Sequence, residues 1–161
     1  MYTDVVLALH ITVGVLALTL GPLALLAAWR RGAVNPAATA YHWAVLGVCV
    51  SAAALVAAAP ARLWWLLPIA AASYALALLG FRAARRPGSR ARRLHLHGQG
   101  GSYIALVTAL LVVSVGSPLA WIAPTLIGSP LITWAIRREE ARPATRVLDA
   151  SGTSVLDYNC N

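Results

Sequence analysis

The sequence predicts an all-α integral membrane protein: a bundle of five transmembrane helices with its N-terminus outside and its C-terminus in the cytoplasm. Apolar stretches long enough to cross a bilayer alternate with short polar ones. All 13 basic residues are arginines, and all but Arg62 fall on every second polar stretch, as expected of loops that stay on the cytoplasmic side. The 6 tryptophans, Trp29, Trp43, Trp64, Trp65, Trp121 and Trp134, all fall at expected span ends, where an amphipathic ring is favoured.

Span one is expected over residues 5–28, which hold no charged side chain. Met1-Tyr2-Thr3-Asp4 carries no basic residue before this run, so the run reads as a retained span rather than a cleaved signal. Arg30, Arg31 and Gly32 end it, and Asn35-Pro36 marks a turn. Span two is expected over 41–59, a tight turn at Pro60, and span three over 63–81. A loop bearing Arg82, Arg85, Arg86, Arg90, Arg92 and Arg93 follows, with Pro87-Gly88-Ser89 at its middle. Residues 94–136 carry no formal charge and are too long for one span. The break at Gly116-Ser117-Pro118 divides them into span four, 94–115, and span five, 119–136. Pro124 and Pro130 make span five either a bent packing helix or a broken one beside a cavity or ligand path. Residues 1–136 thus form the bundle, and 137–161 a polar cytoplasmic tail expected to be disordered at its end. Val147-Leu148-Asp149 recurs as Val155-Leu156-Asp157, a recurrence read as chance.

Composition agrees. The chain is 60% hydrophobic and 11% charged, whereas a soluble domain carries about a quarter charged residues. Lipid as solvent removes the need for a polar surface. A net charge of +8 can signal nucleic acid. Here the arginines flank apolar spans, which excludes that partner and points to anionic headgroups at residues 82–93, at about 1 kcal/mol per basic residue. The Ala- and Arg-rich, lysine-free composition points to a high-GC genome, and the expected location is the bacterial cytoplasmic (inner) membrane. Cys49 falls mid-span and Cys160 in the tail, so no disulfide joins them and no CxxC motif exists.

Polar side chains within spans are costly and so mark candidate sites. His10, Gly14, Ala17 and Gly21 share one face of span one, whose small residues permit close helix contact and carry His10 into the bundle as an outer-side polar site. His95, Gln99, Ser102 and Leu106 share a face of span four, and His97 points away from it as an interfacial residue. On span two His42, Leu46 and Cys49 share a face, and Gly47 and Ser51 form a small-xxx-small pair. His42 and His95 lie at the cytoplasmic ends of their spans, where they can face each other. His10 is roughly 20 Å away at 1.5 Å per residue in a core about 30 Å thick, so no single metal ion uses all three. Two such histidines are open to haem ligation, to a quinone or proton site, or to plain hydrogen bonds between helices. No P-loop, H-E-x-x-H or G-x-S-x-G motif occurs, and the spans hold no carboxylate of the kind ion-coupled carriers use.

His95-Leu96-His97-Gly98-Gln99-Gly100-Gly101-Ser102-Tyr103-Ile104, followed by Leu106-Val107-Thr108-Ala109, resembles a family of uncharacterised bacterial multi-pass membrane proteins. Its motif is His-x-x-Gly-Met-Gly-x-Ser-Tyr-Ile, followed by a Leu-Thr-Ala segment. Trp121-Ile122-Ala123-Pro124 and Ile127-Gly128-Ser129-Pro130 are similar to the family's next span, and His10, Gly14, Gly21, Arg30-Arg31-Gly32, His42 and Gly47 fit its start. The resemblance covers residues 9–136 and implies that His10, His42, His95, Gly98, Ser102 and Tyr103 occupy motif positions. Gln99 stands where the family has methionine, which removes a thioether ligand there. The family has no assigned activity, so the resemblance bears on topology more than on function.

The expected function is a non-enzymatic membrane component, or a binder of a small apolar ligand, with a polar cluster of His42, His95, Gln99, Ser102 and Tyr103 near the cytoplasmic face. The alternative is a redox protein holding haem b or quinone at His42 and His95. A further alternative is a small permease using a proline-broken fifth span. So small a bundle is also expected to self-associate or to dock on a larger membrane complex.

Overall fold

In a computed structural model of the chain, residues 2–31, 35–140, 146–148 and 154–156 are described. Among the described residues five helices are long and apolar enough to cross a membrane: Tyr2–Ala28, Pro36–Ala58, Leu66–Ala84, Ser89–Val115 and Leu119–Arg138. Their outward faces are apolar: Leu16, Val50, Leu79, Leu110 and Leu126 are all exposed. Water would penalise that surface, and hydrocarbon accepts it.

The first helix, α1 (Tyr2–Arg31), runs through Pro22 without a break. α2 (Pro36–Ala58) begins earlier than its apolar run suggests, because Asn35-Pro36 is a helix start rather than a free turn. Asn35 is the N-cap, its Oδ1 accepts from the Ala38 N–H at 2.8 Å, and Pro36 takes the first helical position, where a missing N–H costs nothing. Pro60 likewise opens the single turn α3 (Pro60–Leu63), which leads into α4 (Leu66–Ala84).

α5 (Ser89–Val115) also starts before its apolar run. Arg82 lies on α4, and Arg90, Arg92 and Arg93 lie on α5, so the expected arginine loop is mostly helix. Arginine is a good helix former, and its aliphatic stem lets a helix continue past the hydrocarbon while the guanidinium stays wet. Gly116, at φ 66, caps the far end of α5 in a left-handed conformation that other residues rarely adopt. α6 (Leu119–Glu140) continues as one helix through Pro124 and Pro130. Of the two expectations for this span, the unbroken helix is observed.

Beyond α6, β1 (Arg146–Leu148) and β2 (Ser154–Leu156) pair antiparallel, with Val147 opposite Val155. The Val-Leu recurrence read as chance is therefore two strands that pair with each other, as alternating β-branched and apolar residues favour. Gly32 and residues 157–161, with Cys160, lie outside the described residues, as do the side chains of Trp29, Arg30, Arg31 and Arg62.

α1, α2, α4 and α5 close a four-helix ring through the contacts α1–α2, α2–α4, α4–α5 and α5–α1, and α6 packs along α5 from outside. Side-chain meetings give the register: His10 with Ser51, Cys49 with Ala70, His42 with Phe81, and Tyr41 with Ser102. Consecutive long helices are therefore antiparallel, and α2 and α5 are parallel. This brings the arginine-bearing ends of α4, α5 and α6 to one end of the bundle. The core is small and apolar, built from Ala17, Ala24, Val45, Ala77 and Leu106 with Tyr41.

Candidate functional site

Helical periodicity puts His95, Gln99, Ser102 and Leu106 on one stripe of α5, and all four are buried in the ring. Gly98 lets that stripe come close to α4. A Cβ at Gly98 would sit 2.5 Å from the Gly80 nitrogen, and one at Gly80 would sit 2.8 Å from the Gln99 nitrogen. The two backbones touch, which small residues allow in lipid-solvated helix pairs. Gly100 serves α6 in the same way, its Cβ position lying 2.7 Å from the Ile132 side chain. The glycines of the motif are thus contact points for two different neighbours.

Around that contact the polar side chains gather on Gly80 and Phe81. His95 Nδ1 donates to the Gly80 carbonyl at 2.9 Å. The His42 ring stacks on Phe81, with centroids 4.2 Å apart and planes within 4°. The Arg85 guanidinium lies 4.1 Å from the same Phe81 centroid. His42 and His95 are therefore anchored to consecutive residues of α4. One turn further in, Tyr41 Oη donates to Ser102 Oγ at 3.2 Å. Tyr103 is half-buried, and its ring lies against Gly21, where an added Cβ would clash with it. Three buried side-chain atoms of this region meet no protein partner: His42 Nδ1, His95 Nε2 and Gln99 Nε2.

His10 belongs to a separate place. Its Nδ1 lies 2.8 Å from Ser51 Oγ, which also lies 2.8 Å from the Gly47 carbonyl. A hydroxyl has one hydrogen. If it goes to Gly47, the oxygen accepts from His10. Cys49 Sγ donates to the Ala70 carbonyl at 3.3 Å and so helps join α2 to α4. Among the described residues no group of three His, Cys, Asp or Glu is placed to hold a metal ion.

A second feature was not legible from periodicity. α4 and α6 flank α5 on its outer side and leave a cleft of about 590 Å³ between them. Gly101 and Ala105 floor it, Ala72 and Ser129 are on its walls, and His97 and Trp121 are at its two ends. Between His97 and Thr108 the floor runs about 16 Å at 1.5 Å per residue. The Trp65 and Trp121 rings meet at 5.8 Å and bridge α4 to α6 at the end away from the arginines. His97 is exposed and away from the buried stripe, as its position on the helix predicts, but it faces this cleft. Trp121 and Ser129 stood in segments already marked in the sequence, whereas Pro68, Ile69, Ala72, Thr125 and Ile132, which complete the lining, carried no sequence signal. Comparisons of the chain with protein-family models, with curated proteins and with solved structures find no match.

Proposed function

We propose that this chain is a five-span protein of the bacterial cytoplasmic membrane, N-terminus outside, that does no covalent chemistry and holds a small apolar molecule in the cleft between α4 and α6. The supporting observation is the cleft itself. Its volume lies in the range of small-molecule sites, about 300–1,000 Å³, and its walls are apolar apart from a few hydroxyls and His97. A ligand drawn from the bilayer would lie along α5, with any polar head at His97 and its tail toward Trp121. The exposed Arg90, Arg92 and Arg93 on the first turns of α5 gather anionic headgroups beside that opening. They lie at the positive end of the helix dipole, where cations are unfavourable, so they do not stabilise the helix end. The positive-inside rule puts this end in the cytoplasm.

The test is photolabelling of the full chain in lipid nanodiscs with a diazirine-bearing fatty acid. Label is expected on Ile104, Ala105 and Ser129, and Ala105→Phe, which fills the cleft, should reduce it at least tenfold. Labelling spread evenly over the lipid-facing surface and unchanged in that variant would count against the reading.

One observation favours haem at His42 and His95. The His95 Nδ1–H to carbonyl bond leaves Nε2 bare, as in metal-ligating histidines. Against it, the α4–α5 backbones touch beside His95, which leaves no room for a macrocycle between those two helices. A visible spectrum of detergent-purified protein decides: a reducible Soret band, lost in His95→Ala, would restore the haem reading. The permease reading rested on a broken fifth span, and α6 is continuous.

A further inference from the structure

The stripe of α5 that faces into the ring holds polar atoms for which the cleft has no use. The Gly80 carbonyl can only accept, so His95 Nδ1, 2.9 Å away, carries the hydrogen. A neutral imidazole has one N–H, and His95 Nε2 is therefore a bare lone pair. His95 is 1% exposed, and no protein donor reaches that nitrogen. One turn along, Gln99 is 3% exposed, and its Nε2 has hydrogens to give and no protein acceptor. His42, 5% exposed, has an Nδ1 that likewise meets no protein partner. All three residues adjoin one step of α4: His42 against Phe81, His95 on the Gly80 carbonyl, and the Gln99 backbone beside the Gly80 Cα.

Unpaired polar groups in so apolar a setting are costly, and here their polarities are complementary. One atom needs a hydrogen and another needs an acceptor. A carbonyl oxygen would satisfy Gln99 alone, and an ammonium His95 alone. A hydroxyl satisfies both. We propose that His95, Gln99 and His42 enclose the hydroxyl group of a small guest. Its hydrogen goes to His95 Nε2, its oxygen accepts from Gln99 Nε2, and His42 Nδ1 completes the shell. The guest is a water molecule or a small alcohol. This site lies on the opposite side of α5 from the cleft and does not depend on it.

Two measurements on the full chain test the proposal. Gln99→Met keeps volume and helix propensity and deletes the amide. With a guest present the variant loses a bond, and Tm falls by roughly 2–4 °C. A dry cluster would instead be relieved of an unsatisfied donor, so a Tm equal to or above that of the parent overturns the proposal. Solid-state NMR of ¹⁵N-histidine-labelled protein in lipid is expected to show His95 as the Nδ1–H tautomer, with a hydroxyl proton close to Nε2. Cross peaks from that proton to the water line identify water, and cross peaks to carbon-bound protons identify an organic guest. An Nε2–H tautomer, or no hydroxyl proton near Nε2, overturns the proposal whatever the variant does.

Discussion

At the scale of single residues, the buried polar set divides into partnered and unpartnered atoms, and only the first is plain helix packing. Tyr41 and Ser102 are a completed pair joining α2 to α5. Hydrogen bonds between membrane helices average about 0.6 kcal/mol. Tyr41→Phe and Ser102→Ala are each expected to cost about that amount in a reversible unfolding assay in micelles. The double variant should cost little more than either alone, because one bond is lost in all three. Additive costs would mean that the two residues act separately. His95, Gln99 and Ser102 could be found from spacing alone, since offsets of 4 and 7 residues share a helix face. Tyr41 could not, because nothing in the spacing along α2 says which residue of α5 lies opposite.

At the scale of helices, glycines set the approach distances, and they are not equivalent. Gly98 has Gly80 backbone where a methyl would go, whereas Gly14 has nothing within 4 Å. Gly98→Ala must therefore push α4 and α5 apart and is expected to cost about 1–3 kcal/mol, as overpacking does. Gly14→Ala should be neutral or slightly stabilising, because glycine is a poor helix former by about 1 kcal/mol. Thermal unfolding of the two variants side by side checks the contrast. The motif Gly98-Gln99-Gly100-Gly101 stood out in the sequence, but its division of labour did not. Gly98 faces α4 and Gly100 faces α6 because they are two residues apart, about 200° around the helix. α2 and α5 start before their apolar runs for a related reason. The apolar run ends where hydrocarbon ends, whereas the helix ends where a cap or a break in backbone hydrogen bonding stops it. Asn35-Pro36 and Gly88-Ser89 mark those points.

At the scale of the molecule, a closed ring of four helices with a fifth docked on one member leaves a lateral opening that a symmetric five-helix bundle would lack. α6 rests mainly on α5, and no hydrophobic effect drives helices together in lipid. Its hold depends on the close contacts of Gly100 with Ile132 and Gly128 with Ile104, and on the Trp65–Trp121 bridge. Trp121→Ala should loosen the far end of α6, read as faster hydrogen exchange over Leu119–Pro124 than over the rest of the helix. Orientation is expected to follow the arginines. An alkaline phosphatase fused after Pro87 should be inactive, and one fused after Pro60 active. The reverse pattern would invert the bundle and put His42 and His95 at the outer face.

The number of apolar helices, their antiparallel succession and the polar stripe of α5 were determined by the sequence alone. Each follows from a local rule: the solvent each side chain can tolerate, and the residues that share a face at 3.6 per turn. The tertiary structure alone decided that Gly80 meets Gly98, that His42 lies on Phe81, and that α6 stays outside the ring to form a cleft. Those outcomes depend on which helix sits beside which, and at what height. Neighbour choice in lipid is set by the fit of backbone to backbone between segments far apart in the chain, and hydropathy carries no record of that fit.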